Sequence, residues 1–184
     1  MAEADQVPLD AAGKHSYQEA VGSAIYLSLD YRVIQYAVKE LARRMHEPHI
    51  ADWNAVKYLA RFLRSGEYAK VTVVTESEKA DYRAGKPLRI FAFTVSDWAG
   101  CPMTRRSTDN VLLGISTTVV STSCQTQPGL PATSSSDAEI RGMSRGARDL
   151  LHLEQLASQD FGLNLALPEL FADSSVGLSA SKKL

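Results

Sequence analysis

Apolar positions recur at helical spacing through the first third of the chain and then give way to short strand-like runs. Between residues 32 and 46, Val33, Ile34, Ala37, Val38, Leu41, Ala42 and Met45 form one stripe at intervals of three and four, which predicts an amphipathic helix stopped by Pro48. Residues 17 to 29 predict a helix before it. Residues 51 to 64 predict one after it, burying Trp53, Val56, Leu59, Ala60 and Leu63, with Gly66 just past its end. Beyond residue 70 the spacing changes. Residues 71 to 75 read as a short strand and 76 to 86 as a charged, turn-prone loop. Residues 88 to 95, 111 to 115 and 118 to 123 read as strands, the last two rich in β-branched side chains. Pro128, Gly129, Pro131 and several serines make 125 to 136 a loop. A long helix is expected over 137 to 159, a short strand over 167 to 172, and a truncated helix after it. The division is a flexible lead over 1 to 15, a helical segment over 16 to 66, and a sheet-bearing domain over 67 to 184.

Three acids stand in comparable exposed settings on this framework. Asp97, in Ser96-Asp97-Trp98-Ala99-Gly100-Cys101, follows the first core strand. Glu139 opens the long helix, and Asp173 ends the last strand. Acids at strand ends and at a helix start are the skeleton of a ribonuclease H site, where carboxylates hold metal ions for phosphodiester hydrolysis. Plainer roles exist for each. Ser136-Asp137-Ala138-Glu139 fits a capping box, in which the glutamate returns to the serine amide. Asp173 suits a helix cap. Arg105 and Arg106, beside Ser107 and Thr108, suit phosphate contacts or an ordinary solvated turn.

The order and spelling of several segments resemble the ribonuclease H region of copia-type retrotransposon polyproteins. The resemblance runs from about residue 16 to 181. It begins with Val21-Gly22-Ser23-Ala24-Ile25-Tyr26-Leu27-Ser28 and continues through Tyr36-Ala37-Val38-Lys39-Glu40-Leu41-Ala42-Arg43-Arg44-Met45 and Asp52-Trp53-Asn54-Ala55-Val56-Lys57-Tyr58-Leu59. Asp97-Trp98-Ala99-Gly100, Arg105-Arg106-Ser107-Thr108, Ser134-Ser135-Ser136-Asp137-Ala138-Glu139 and Phe171-Ala172-Asp173-Ser174-Ser175 follow in order. The resemblance implies an α/β, ribonuclease H-like mixed sheet with flanking helices, preceded by a small helical segment. It implies magnesium-dependent hydrolysis of the RNA strand of an RNA–DNA hybrid, within a larger polyprotein. Glu139, Asp173 and, less directly, Asp97 become the implied metal ligands. Arg105, Arg106 and Ser107 become the implied nucleic-acid contacts.

The chain departs from the family at the first acid. The family writes Thr-Asp-Ser-Asp-Trp-Ala-Gly and uses the first aspartate; this chain writes Thr94-Val95-Ser96-Asp97-Trp98-Ala99-Gly100. Asp97 lies two residues on, about 6–7 Å along a strand. Magnesium holds its oxygens at about 2.0–2.1 Å in near-octahedral geometry, so a displacement of that size is not absorbed. The family pattern also continues into a further helix, strand and final acid or histidine, where this sequence stops at Leu184. A degenerate centre with weak magnesium binding and little cleavage is therefore expected. The alternative is a non-catalytic nucleic-acid-binding or protein-interaction domain kept for its fold.

Composition narrows the remainder. With 184 residues and 45 % hydrophobic content, the chain can bury a core. Its formal charge of −1 exerts no global pull on nucleic acid, so binding must be local. Cys101 and Cys124 are too few for a disulfide framework, and no apolar run approaches a membrane span. An intracellular setting, cytoplasmic or nuclear, is the expectation.

Overall fold

A computed structural model describes residues 6–66 and 74–173. The chain divides into two compact units, Met1–Val71 and Thr72–Leu184.

The first unit is helical. Helix α1 spans Ala11–Leu27, and the Asp10 side chain caps it by accepting the Gly13 N–H at 2.7 Å. Residues 11 to 15, expected in a flexible lead, are therefore helical. The extended lead is stitched down as well: Leu9 N–H donates to Pro48 and Val7 accepts from Ile50 N–H. A 3-10 turn at Arg32–Ile34 runs into α2, Gln35–Ala42. The apolar stripe thus outlasts the helix, which closes four residues earlier than expected. Helix α3 covers Ile50–Ser65 and ends on Gly66 in the left-handed region at φ 69°. Tyr17, Val21, Ile34, Val38, Leu41 and Leu59 form the core, and the buried Tyr17 hydroxyl donates to the Leu41 carbonyl at 2.8 Å.

The second unit is built on a four-stranded mixed sheet in the order β3-β2-β1-β4. Strands β1 (Ile90–Ser96), β2 (Thr108–Ile115) and β3 (Thr118–Thr126) form an antiparallel meander. Helix α5, Ser135–Gln155, then crosses over, and β4, Glu169–Ala172, pairs parallel to β1. This is the mixed α/β, ribonuclease H-like architecture that the resemblance implies. Ile90, Ala92, Leu150 and Leu153 are its buried centre.

Two local expectations are corrected. Residues 76 to 86 are not a loop: α4 occupies Glu76–Arg83, opened by a capping box in which Thr75 and Glu78 satisfy each other's backbone N–H. The strand expected over 71 to 75 does not form at Val74 or Thr75; residues 71 to 73 lie outside the described residues, as does the helix expected after Asp173. At its other end α5 leaves α-helical geometry earlier than 159, in a π turn over Leu156–Asp160.

Candidate functional site

Strand alternation and helix pitch decide what meets at the carboxyl end of β1. Ile90, Ala92, Thr94 and Ser96 share the face on which α5 packs. Two glycines allow the close approach. A Cβ on Gly142 would collide with Ser96 Oγ, and one on Gly146 would collide with Thr94 Cγ2. Because Gly146 lies over Thr94 and Gly142 over Ser96, α5 runs against β1 and sets its N-terminus over that strand's carboxyl end. Glu139 is seven residues before Gly146, almost two full turns, so it points to the same side of the helix about 10 Å further on. Gly146 also abuts Leu170 of β4. Glu139 therefore overhangs the β1–β4 strand ends.

The cap at that helix start belongs to other residues. Ser134 accepts the Asp137 N–H at 3.1 Å. Asp137 turns back to Thr133 N at 2.9 Å and pairs with Arg141 at 2.9 Å, which holds its carboxyl below the usual range, the Thr133 amide first. The capping-box role offered for Glu139 is thereby taken up. Glu139, half-buried, has no hydrogen-bond or ion-pair partner among the described residues.

Val95 and Asp173 are neighbours. Thr94 pairs with Ala172 as the last register pair of β1 and β4, and one further residue brings Val95 beside Asp173. Continued alternation puts both on the sheet face opposite α5. Val95 is 47 % exposed, so an aliphatic side chain faces solvent at the strand end. Asp173 is exposed and likewise unpaired among the described residues.

Asp97 is engaged in structure. Its Oδ1 accepts the Thr108 N–H at 2.5 Å while its own N–H donates to the Thr108 carbonyl at 3.1 Å. These two bonds close the loop between β1 and β2. A Cβ on Gly100 would strike the Asp97 carboxylate, so Gly100 is the residue that admits it. Within this loop Ser107 is fully buried and its Oγ accepts the Ala99 N–H at 3.1 Å. The Ser107 hydroxyl thus holds the turn from inside and does not face solvent. Arg105 and Arg106 are exposed at the loop tip, unpaired by acids among the described residues, with Arg105 at φ 54°.

Sequence reading missed a buried polar chain beneath the site. Asp109, 2 % exposed, accepts from Ser96 Oγ at 2.8 Å and from Gln127 Nε2 at 2.6 Å, and Gln127 also donates to the Ala138 carbonyl at 2.7 Å. The chain ties β1, β2 and the segment after β3 to the first turn of α5, next to Glu139. Alternation carried the clue: Asp109 is in phase with Val111 and Leu113 on the α5-facing side of β2.

A metal centre of the kind the resemblance implies needs several convergent oxygens. Among the described residues no group of three or more histidine, cysteine, aspartate or glutamate side chains is placed to hold a metal ion. Val95 offers no donor and the Asp97 carboxylate is occupied by the Thr108 N–H, so among the described residues the donors do not make up a two-magnesium site.

Comparison with known proteins settles the lineage. The chain is 31 % identical over 144 residues to the uncharacterized mitochondrial protein AtMg00810 of Arabidopsis thaliana, covering 78 % of this chain and 56 % of that protein. It is 28 % identical over 161 residues to the retrovirus-related Pol polyprotein from transposon RE2 of the same plant, covering 88 % of this chain and 10 % of the polyprotein. It is 26 % identical over 170 residues to the Pol polyprotein from transposon TNT 1-94 of Nicotiana tabacum, covering 92 % of this chain and 12 % of the polyprotein. Its homologues are retrovirus-related Pol polyproteins of copia-type transposons and a mitochondrial protein of the same kind of sequence. It spans little more than half of the mitochondrial relative and about a tenth of these Pol polyproteins. No family model and no solved structure matches it. Among the described residues, no helix of this polyprotein region is long and apolar enough to cross a membrane.

Proposed function

We propose that this polyprotein region is a ribonuclease H-type domain whose hydrolytic centre has decayed. Its ancestral substrate is the RNA strand of an RNA–DNA hybrid and its ancestral cofactor is magnesium. The observation that carries the reading is the pairing at the strand ends: Val95 stands beside Asp173 where an oxygen donor is needed, and Asp97 spends its carboxylate on Thr108 N–H. Glu139 and Asp173 remain as the acids with unengaged carboxylates at that end. Two oxygen-bearing side chains do not hold two ions about 3.5–4 Å apart in the geometry that activates water and stabilises the leaving oxygen. The test is cleavage of a labelled RNA–DNA hybrid under a magnesium titration. Background-level cleavage at every concentration supports the reading. Robust cleavage abolished by Glu139→Gln overturns it.

A second reading, a nucleic-acid-binding domain without catalysis, is favoured by the exposed, acid-free Arg105 and Arg106 at the β1–β2 loop tip. Phosphate contacts there grip a duplex without reading its bases. Salt-dependent, magnesium-independent hybrid binding that weakens in Arg105→Ala/Arg106→Ala supports it. Binding that ignores both arginines contradicts it.

A further inference from the structure

The β1–β2 loop displays an aromatic side chain that neither hydrolysis nor phosphate contact uses. Trp98 is 54 % exposed, yet its ring is held in place, because the indole Nε1–H donates to the Ala132 carbonyl at 3.2 Å. A tryptophan rooted in one loop and tied at its N–H edge to another keeps ring surface open to solvent.

The frame around it is cross-braced. Ala99, at φ 54°, donates its N–H to Ser107 Oγ at 3.1 Å, and the Cys101 N–H reaches the Arg106 carbonyl at 3.2 Å. Gln127 N–H donates to the Ser107 carbonyl at 2.8 Å, fastening the chain after β3 to the same loop. Trp98 and Arg106 therefore stand on facing limbs of one braced loop, with Arg105 next to Arg106. Charge here is one-sided. Residues 98 to 108 carry Arg105 and Arg106 and no acid, and residues 126 to 136 carry no charge at all. Of the acids that flank the loop, Asp97 is engaged by Thr108 and Asp109 is buried.

We propose that Trp98 stacks an unpaired base, so that this loop takes a single-stranded tail where it leaves a duplex. The inference rests on the reading of Arg105 and Arg106 as phosphate contacts and names the substrate feature that goes with them. Bases inside a duplex are stacked on their neighbours, whereas an unpaired base has a face free for an aromatic side chain. One loop supplies both halves of single-strand recognition, an aromatic face and cations with no acidic partner among the described residues. A lipid surface fits less well, although Met103 and Leu130 nearby are exposed. An interfacial tryptophan keeps its N–H for the wet side, and here the N–H is committed to Ala132.

The probe is a fluorescein-labelled RNA–DNA hybrid, blunt or with a short single-stranded overhang, titrated with the whole chain by anisotropy in the absence of magnesium. The overhang form is expected to bind about tenfold more tightly, within the range that one base stacked on an aromatic side chain contributes. Trp98→Ala is expected to close that gap and Trp98→Phe to keep part of it. Should these variants fail to melt cooperatively, the indole emission of the unaltered chain reads the same contact, and the overhang form is expected to quench it more than the blunt form does. Equal affinity for the two forms, a gap that survives Trp98→Ala, or equal quenching overturns the proposal. Weakening of both forms by Arg105→Ala/Arg106→Ala without any gap upholds the arginine reading and overturns the stacking. A Trp98-dependent gap with no response to the arginine variant does the reverse. Emission that responds to phosphatidylserine vesicles and not to the overhang assigns the loop to a membrane surface and also overturns the proposal.

Discussion

Asp97 and Thr108 hold each other by two hydrogen bonds, side chain to N–H and N–H to carbonyl, across the mouth of the β1–β2 loop. The pairing explains why the aspartate that survives in the Asp-Trp-Ala-Gly segment does not substitute for the one the family places at position 95. Its Oδ1 already accepts the Thr108 amide. Asp97→Ala removes a charge-assisted hydrogen bond to a buried residue and is expected to cost about 1–3 kcal/mol of stability, measured by chemical denaturation. A neutral effect would mean that the carboxylate is free for other work.

The two α5 glycines make an opposite-sign prediction to helix propensity. Alanine for glycine inside a helix normally gains up to about 1 kcal/mol. At Gly142 and Gly146 a methyl group runs into Ser96 Oγ and Thr94 Cγ2, and overpacking of a tight interface costs about 1–3 kcal/mol. Gly142→Ala and Gly146→Ala are therefore expected to lower the melting temperature of the chain. Stabilisation by either would show that α5 does not lie this close to β1.

Acid should loosen the tie between α4 and the β2–β3 turn. Glu78 accepts from the Thr117 hydroxyl at 2.6 Å and amide at 2.7 Å, and from the Thr75 hydroxyl and amide at 2.7 Å each. These bonds, the Thr117 hydroxyl first, hold its pKa down at about 2 from an ordinary 4.5. A depressed carboxyl pKa stabilises the fold above the ordinary value, and that contribution drains away as pH falls through about 2. Glu78→Gln should flatten the fall in stability between pH 4.5 and 2, read from denaturation midpoints. An unchanged pH profile would refute the linkage.

Alkali should act on the other unit. Burial, reinforced by the Asp52 charge, pushes the Tyr17 hydroxyl up to about 12 from 10.0. The group stabilises the fold fully below pH 10 and loses that contribution as pH rises through about 12. Tyr17→Phe removes the dependence at a cost of about 0.5–1.5 kcal/mol, the smaller end being reasonable because the Leu41 carbonyl also accepts the Arg44 N–H. Melts across the alkaline range check both parts.

How much of this was legible in the sequence depended on the reach of the forces involved. Periodic burial exposed α3, the three antiparallel strands and α5, because Val56, Leu59, Val111 and Leu150 report on their own elements. The α4 helix was hidden by its charge: Glu76-Ser77-Glu78-Lys79-Ala80-Asp81-Tyr82-Arg83 lacks an apolar stripe, and its anchor, Glu78 to Thr117, spans 39 residues. The local capping box at Thr75 and Glu78 was the available signal. The sequence pattern puts the α5 cap at Ser136 with Glu139; the structure puts it at Ser134, with Asp137 held by Arg141 and Thr133. At the site, Val95 was visible as a misspelling of the family pattern. That Asp97 is tied to Thr108, that Ser107 is buried and that Asp109 links to Gln127 all require the folded sheet.

Restoring the lost donor is informative about the site itself. Because Val95 adjoins Asp173, Val95→Asp places two carboxylates side by side at the strand end, and magnesium affinity measured by calorimetry is expected to rise by at least about tenfold, roughly 1.4 kcal/mol. Unchanged affinity would show that these two positions do not converge on an ion.

The most direct test of the decayed centre is a count of manganese ions bound per chain by electron paramagnetic resonance, with the unaltered protein beside Glu139→Gln. The account predicts fewer than two site-bound ions in the unaltered chain. Two ions held per chain, both released by Glu139→Gln, would contradict it.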